Sequence, residues 1–334
     1  MVDALGQFVT FTAWCPEVGI GLGVPRPTIQ LTGSPDAPRV TGVADASLDV
    51  TDAIRDYSDH VHLETGPSCG YVFKHGSPSC AITPINVVGE NGNPVGSARG
   101  GYAARLMALD PLMPCEDEDR LRDPRVRESF VERVFLLERW YRLRAQGLSS
   151  GTLVAFHTTH KYPILSHSEV EYRRLGPMIA GAGGEELGTS ADEYIRLVMR
   201  AMSQPSTVQR HTNVLQHLLG FLRGAVDVSQ RKTLADAVEN YRLGKTPLAV
   251  PVTLFREQFE RQPHGFASAQ YYSAALSRWP GLAGPALTAW QSSSILCRIV
   301  SGRMRRHEPS NDPAHNERAK HENDRHYGNH RHTT

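Results

Sequence analysis

Apolar and polar positions follow two different rhythms, one on each side of residue 124. Before it, apolar residues come in short runs rich in β-branched and aromatic side chains, interrupted by glycine and proline. Residues 6–14, Gly-Gln-Phe-Val-Thr-Phe-Thr-Ala-Trp, predict a buried strand that delivers Cys15 at its carboxyl end. Residues 28–32 and 39–43 predict short strands around the turn Ser34-Pro35-Asp36. Leu48-Asp49-Val50-Thr51 leads into a helix predicted over 52–63, with Thr51 or Asp52 as N-cap. Strands are predicted over 70–74 and 81–88, then a turn at Asn91-Gly92-Asn93-Pro94. Ser97-Ala98-Arg99-Gly100-Gly101 precedes a helix predicted over 102–108. This alternation predicts an α/β unit with a small parallel or mixed sheet.

Beyond residue 124 the period becomes helical. Residues 125–146 predict one long amphipathic helix with Val126, Phe130, Val134, Phe135 and Leu137 on its apolar side. Residues 191–202, 206–223 and 229–243 are the clearest helical segments after it, and no alternating strand pattern interrupts them. The expected organisation is an α/β N-terminal domain over 1–124, a linking helix over 125–147, an all-α helical domain over 148–270 and a divergent, largely disordered tail over 271–334. From Ser301 onward the chain is polar with six histidines, a composition that predicts disorder.

Charge and composition narrow the classes. A net charge of +1 argues against a general binder of nucleic acid or anionic membrane. No apolar run approaches the roughly 20 residues that span a bilayer. The first residues lack the basic start and apolar core of a signal peptide, so the expected location is the cytoplasm. Five cysteines form an odd, sparse set that speaks against a disulfide framework.

Two stretches carry candidate chemistry. Cys15-Pro16-Glu17-Val18-Gly19-Ile20-Gly21-Leu22-Gly23-Val24-Pro25-Arg26-Pro27 reads as a loop and not a helix, its glycines allowing close backbone approach. Lys74-His75-Gly76-Ser77-Pro78-Ser79-Cys80 reads as its partner, so the first half of the chain is expected to bring Cys15 and Cys80 together. Cysteines of this kind are either buried structural thiols or metal ligands. Glu17 suits a proton donor, or a carboxylate that accepts loop N–H groups. Ser77 and Ser79 orient substrate or cap the turn, and Lys74 pairs with an anion or is solvated. Arg26, and Arg99 before a glycine-rich helix start, suggest an anion site. The glycines at 19, 21 and 23 do not make a dinucleotide fingerprint, because prolines follow where a helix is required.

In the second half, His157, His160 and Lys161 share one face of a predicted helix. With His167, His211 and His217 they are expected to line a polar pocket for an anion or nucleotide, ahead of a metal site or of structural histidines. Pro163 is expected to break that helix just after Lys161.

The first stretch, with Leu48-Asp49-Val50-Thr51 and Ser77-Pro78-Ser79-Cys80, resembles the TudS-like domain of thiouracil desulfidases. Phe156-His157-Thr158-Thr159-His160-Lys161, His167-Ser168, Tyr172, Leu175-Gly176 and His211-Thr212-Asn213-Val214-Leu215-Gln216-His217 resemble the YbgA-type helical domain. The resemblance covers residues 5–270 and implies a [4Fe-4S] cluster held by three cysteines, whose open iron takes sulfur from a thiocarbonyl. Cys15 and Cys80 match two of the three. The third belongs to a Ser-x-Cys-Leu-Leu-Gly motif that this sequence lacks, along with the Arg-Tyr-Asp-Gly stretch after it, and Ala81 stands where the family has glycine. Either an upstream segment carries the missing motif or this is a degraded copy. Cys69 and Cys115 match no ligand position. By resemblance, the first domain removes sulfur from a thiolated pyrimidine or similar thioamide, with Glu17 or a loop serine assisting proton transfer. The helical domain binds substrate, a nucleic-acid-derived ligand or a partner. The alternative is a non-enzymatic binding protein that has lost the cluster.

Overall fold

A computed structural model describes residues 9–272 and 298–301. Among them the α/β region carries two sheets of four strands. The first has the order β1 (Thr10–Ala13), β8 (Arg298–Ser301), β4 (Gly70–Phe73), β7 (Cys115–Asp117), and every neighbouring pair in it is parallel. The second is mixed, with the order β3 (Ala37–Gly42), β2 (Ile29–Ser34), β5 (Ile85–Val88), β6 (Pro94–Ala98). β4 is buried along its whole length, as a strand between neighbours in a covered parallel sheet must be. The predicted strand over 81–88 shortens to its last four residues, because the backbone before them turns to meet helix α3 (Gly101–Leu109).

Helix α2 (Thr51–Thr65) begins one residue earlier than its sequence suggests, with Val50 at the N-cap position. Asp49 Oδ1 accepts the Thr51 N–H at 2.9 Å, and Thr51 Oγ1 accepts the Val40 N–H at 2.8 Å. The Cys15 stretch contains a helical turn after all. Pro16–Gly19 forms α1, with Pro16 at a position where no N–H is needed and the torsion is already helical. The expected loop geometry begins only at Gly21 and Gly23, whose φ angles are 86° and 75°.

The helical region contains α4 (Pro124–Gln146), α5 (Ser150–His167), α6 (Glu169–Gly181), α7 (Leu187–Met202), α8 (Val208–Phe221), α9 (Val228–Arg242) and α10 (Ala249–Arg261). α4 packs on both regions. Phe130, Val131 and Val134 join Val9, Cys69, Val72 and Leu121, whereas Leu136, Leu137 and Trp140 join the core of α5 to α7. Contrary to expectation, α5 does not end at Pro163. The side-chain amide of Gln270 inserts into its ladder, accepting from Tyr162 N at 3.1 Å and donating to Thr158 O at 2.7 Å. The backbone groups parted beside the proline are thereby satisfied, which lets the helix continue.

The predicted boundary at 270 falls inside the packed region, since Tyr272 is buried in the core of α8 to α10. The tail predicted over 271–334 lies outside the described residues except at 271–272, which are helical, and at Arg298–Ser301, which form β8. β8 itself was not anticipated, although Ile295-Leu296-Cys297-Arg298-Ile299-Val300 is an apolar run of strand composition. Among the described residues no helix is long and apolar enough to cross a membrane.

Candidate functional site

β1 and β4 point the same way, so the loops after them emerge on one edge of the parallel sheet, where open α/β sheets place their ligands. Cys15 caps the start of α1, two residues before the buried Glu17. Glu17 is the hub that joins the two cysteine loops. Its Oε1 accepts hydrogen bonds from Ser77 Oγ and Ser79 Oγ, both at 3.0 Å, while its Oε2 pairs with Arg26 Nε. Ser77 Oγ also receives the N–H groups of Ser79 and Cys80, at 3.2 and 3.4 Å.

Two further ties hold the second loop. Glu118, just beyond β7, pairs with Lys74 and accepts the His75 N–H at 2.8 Å, and His75 Nδ1 lies 3.4 Å from the fully buried Asp117. On the other side the start of α3 supplies Gly100, Gly101 and Ala103 N–H groups to the carbonyls of Ala81, Pro78 and Ser79. A Cβ on Gly100 would sit 2.5 Å from the Ser79 backbone, so only glycine allows this approach. The anion site expected at this helix start is therefore already occupied by loop carbonyls. Arg99 Nε donates to Ile82 O at 3.1 Å, and Arg26 is spent on Glu17.

The electrostatics differ between the two thiols. Burial pushes the Cys80 thiol up to about 12, reinforced by the charges of Glu17 and Cys15, against the Lys74 N–H and the Ser77 hydroxyl. Cys15 is only half-buried. Behind them stand three tyrosines that sequence reasoning missed. Tyr71 donates to Tyr102 at 3.0 Å, and Tyr57 meets Trp14 edge-on at 6.3 Å between centroids. Burial raises Tyr57 to about 12, aided by Cys15 and Glu64. A side chain on Gly19 would collide with the Tyr57 ring, which is one reason for a glycine there. Asp117 and Glu118, the partners of that loop, were also missed, because nothing local links His75 to a residue 43 positions away.

Neither remaining described cysteine joins the pair. Cys69 is buried in the apolar cluster under α4, and Cys115 donates its thiol to Met113 O at 3.4 Å. Among the described residues no three His, Cys, Asp or Glu side chains are placed to hold a metal ion. Two thiols do not fit a [4Fe-4S] cluster bound through three.

The five candidate histidines and Lys161 do not converge on one pocket. His160 is buried between Phe156 and Tyr271, with Nδ1 donating to Phe156 O at 2.7 Å and Nε2 facing Arg139 at 3.4 Å. His157 Nδ1 lies 3.3 Å from Tyr194 OH, and burial lowers the imidazole to about 4, with Lys161 adding to the effect. Lys161 itself is half-buried, its ammonium 5.8 Å from the Phe266 ring. His167 donates from Nδ1 to Gln204 O and meets Glu132 through Nε2, both at 2.6 Å. His211 Nδ1 lies 2.8 Å from Tyr272 OH. His217 is exposed, its ring 6.1 Å from that of Tyr162. Within α5 the helix rise, roughly 15 Å over the ten residues from His157 to His167, sets those two apart, whereas His211 on α8 feels the charges of Glu132 and His167.

Fold and site together define a two-part protein, an α/β unit presenting a clamped pair of cysteine loops and a helical unit with buried, partnered histidines. Residues 1–118 match the family described as 2-thiouracil desulfurase, and residues 161–276 match the family described as protein of unknown function (DUF1722). Over 154 residues the chain is 33% identical to the uncharacterized protein YbgA of Escherichia coli (strain K12), covering 46% of this chain and 89% of that protein. The chain belongs to the YbgA family, with a TudS-like domain preceding the YbgA-like region. No solved structure matches it.

Proposed function

We propose that the Cys15–Cys80 site removes sulfur from a small thiocarbonyl compound of the thiolated-pyrimidine class. Water supplies the replacing oxygen and sulfur leaves as hydrogen sulfide, so that the balance is C=S plus water to C=O plus H₂S. The observation that carries this reading is the Glu17 clamp, which joins two cysteine loops 60 residues apart at the carboxyl edge of a parallel sheet. The match to a family described as 2-thiouracil desulfurase supports the substrate class.

The chain's own residues have distinct parts in this reading. Glu17, held by Arg26 and two hydroxyls where the two cysteine loops meet, is the carboxylate placed to take a proton from the attacking water. The hydroxyls of Ser77 and Ser79 are the nearest donors for returning it. Cys15, half-buried, faces the arriving substrate, whereas Cys80 is enclosed. The thiophilic centre that the family resemblance implies lacks one thiolate among the described residues.

That shortfall favours a second reading, in which the α/β unit has lost turnover and the helical unit binds an anionic or nucleotide-like ligand. Anaerobic reconstitution with iron and sulfide separates the two. Under the first reading the reconstituted protein, cleared of free sulfide, releases sulfide from 2-thiouracil, and Cys15→Ala and Cys80→Ala lose that release. Absence of sulfide release rejects it.

A further inference from the structure

The sheet behind the cysteine loops takes its second strand from the far end of the chain. β8 is the ladder partner of β1, and β4 is held between β8 and β7. Its last residue, Ser301, pairs with Ala13 on one side and with Val72 on the other. One residue of the C-terminal segment therefore sets Ala13 and Val72 at the same level. Cys15 follows two residues after Ala13, and the loop to Cys80 begins two residues after Val72. Because all these strands are parallel, β8 ends on the same edge, between the two loops.

We propose that Arg298–Ser301 is the positioning strand of the cysteine site, which is assembled only when this segment seats between β1 and β4. Two ties then join the loops independently: the backbone ladder through β8 and the side-chain clamp of Glu17. Without β8, β1 is a four-residue strand with no ladder among the described residues, too short to persist alone. One edge of β4 would also lose partners for its buried N–H and C=O groups. The proposal rests on the pairing of the loops and not on the chemistry proposed for them.

Hydrogen exchange read by mass spectrometry tests it on the full chain, on Val300→Pro, and on a chain ending at Cys297. Proline in an interior strand removes a ladder donor without shortening the protein. In the unaltered protein, amides of residues 298–301 should exchange as slowly as those of β4. In Val300→Pro, residues 10–13 and 70–73 should exchange at least about tenfold faster. Cys80 should react with N-ethylmaleimide faster by a similar factor, while α7 keeps its protection. A synthetic peptide of residues 295–303 should restore protection to the shortened chain. Fast exchange at 298–301 in the unaltered protein overturns the proposal. So does unchanged exchange in β1 and β4 of the proline variant. These readings hold whether or not iron is retained or thiouracil is turned over, so failure of the desulfidation reading is seen separately.

Discussion

Glu17 shows how one side chain converts two loops into a site. Its type and its distance from Cys15 are visible in the sequence, and both a proton-transfer role and a loop-anchoring role were open there. The structure gives it two hydroxyl donors and a guanidinium, and thus makes it the anchor whatever else it does. The same arrangement sets the thiols apart. Cys80 is buried and raised to about 12, so at pH 8 its thiolate fraction is negligible, and reactivity follows the thiolate. Iodoacetamide at pH 8 should therefore modify Cys15 well before Cys80, and Cys80 only on unfolding or at much higher pH. Peptide mapping reads the order. Equal rates in the native protein would show that the second loop is not closed over its thiol.

At the scale of elements, α5 carries the clearest lesson. A proline within a helix removes a ladder bond and ordinarily ends or kinks the helix. Here the break is bridged by Gln270, a residue 107 positions beyond Pro163 and absent from any local pattern. Gln270→Ala leaves the Thr158 carbonyl and the Tyr162 N–H without the bridging amide in a buried setting, at a cost of about 1–3 kcal/mol. Thermal unfolding followed by circular dichroism should show a fall of several degrees, and an unchanged midpoint would mean the inserted amide is dispensable. The turn at Pro16–Gly19 has the opposite origin. Proline at a first helical position favours a turn, and the glycine count of the stretch hid that local signal.

The whole molecule is joined through α4. Glu116 of β7 accepts from Arg120 at 2.8 Å and from the buried Arg133 of α4 at 3.3 Å. The preceding residue, Glu132, pairs with His167 of α5, and Ser129 donates to Met202 O at 2.9 Å. Adjacent residues of one helix thus hold the sheet on one side and the helical core on the other. Glu116→Ala would strand the Arg133 guanidinium in an interior that already disfavours its charge, at a cost of about 3–5 kcal/mol. Chemical denaturation should register this as a lower midpoint shared by tryptophan fluorescence and helical signal. A change in neither would show that the pair contributes nothing to the joint.

The sequence by itself determined the two rhythms, the α/β-then-helical order, the two cysteine loops and the family, because periodicity, turn chemistry and motif spacing are properties of neighbouring residues. Helix positions were legible to within a few residues for the same reason. Only the tertiary structure decided that β8 lies between β1 and β4, that Glu17 takes both serines and Arg26, that the helix start near Arg99 is filled by loop carbonyls, and that the histidines are spread along and around α5. Apart from Glu17 and Arg26, these join residues tens to hundreds of positions apart. Such pairings are selected by sheet register, helix rise and the need to satisfy buried polar groups, and none of those leaves a mark in a local window of sequence.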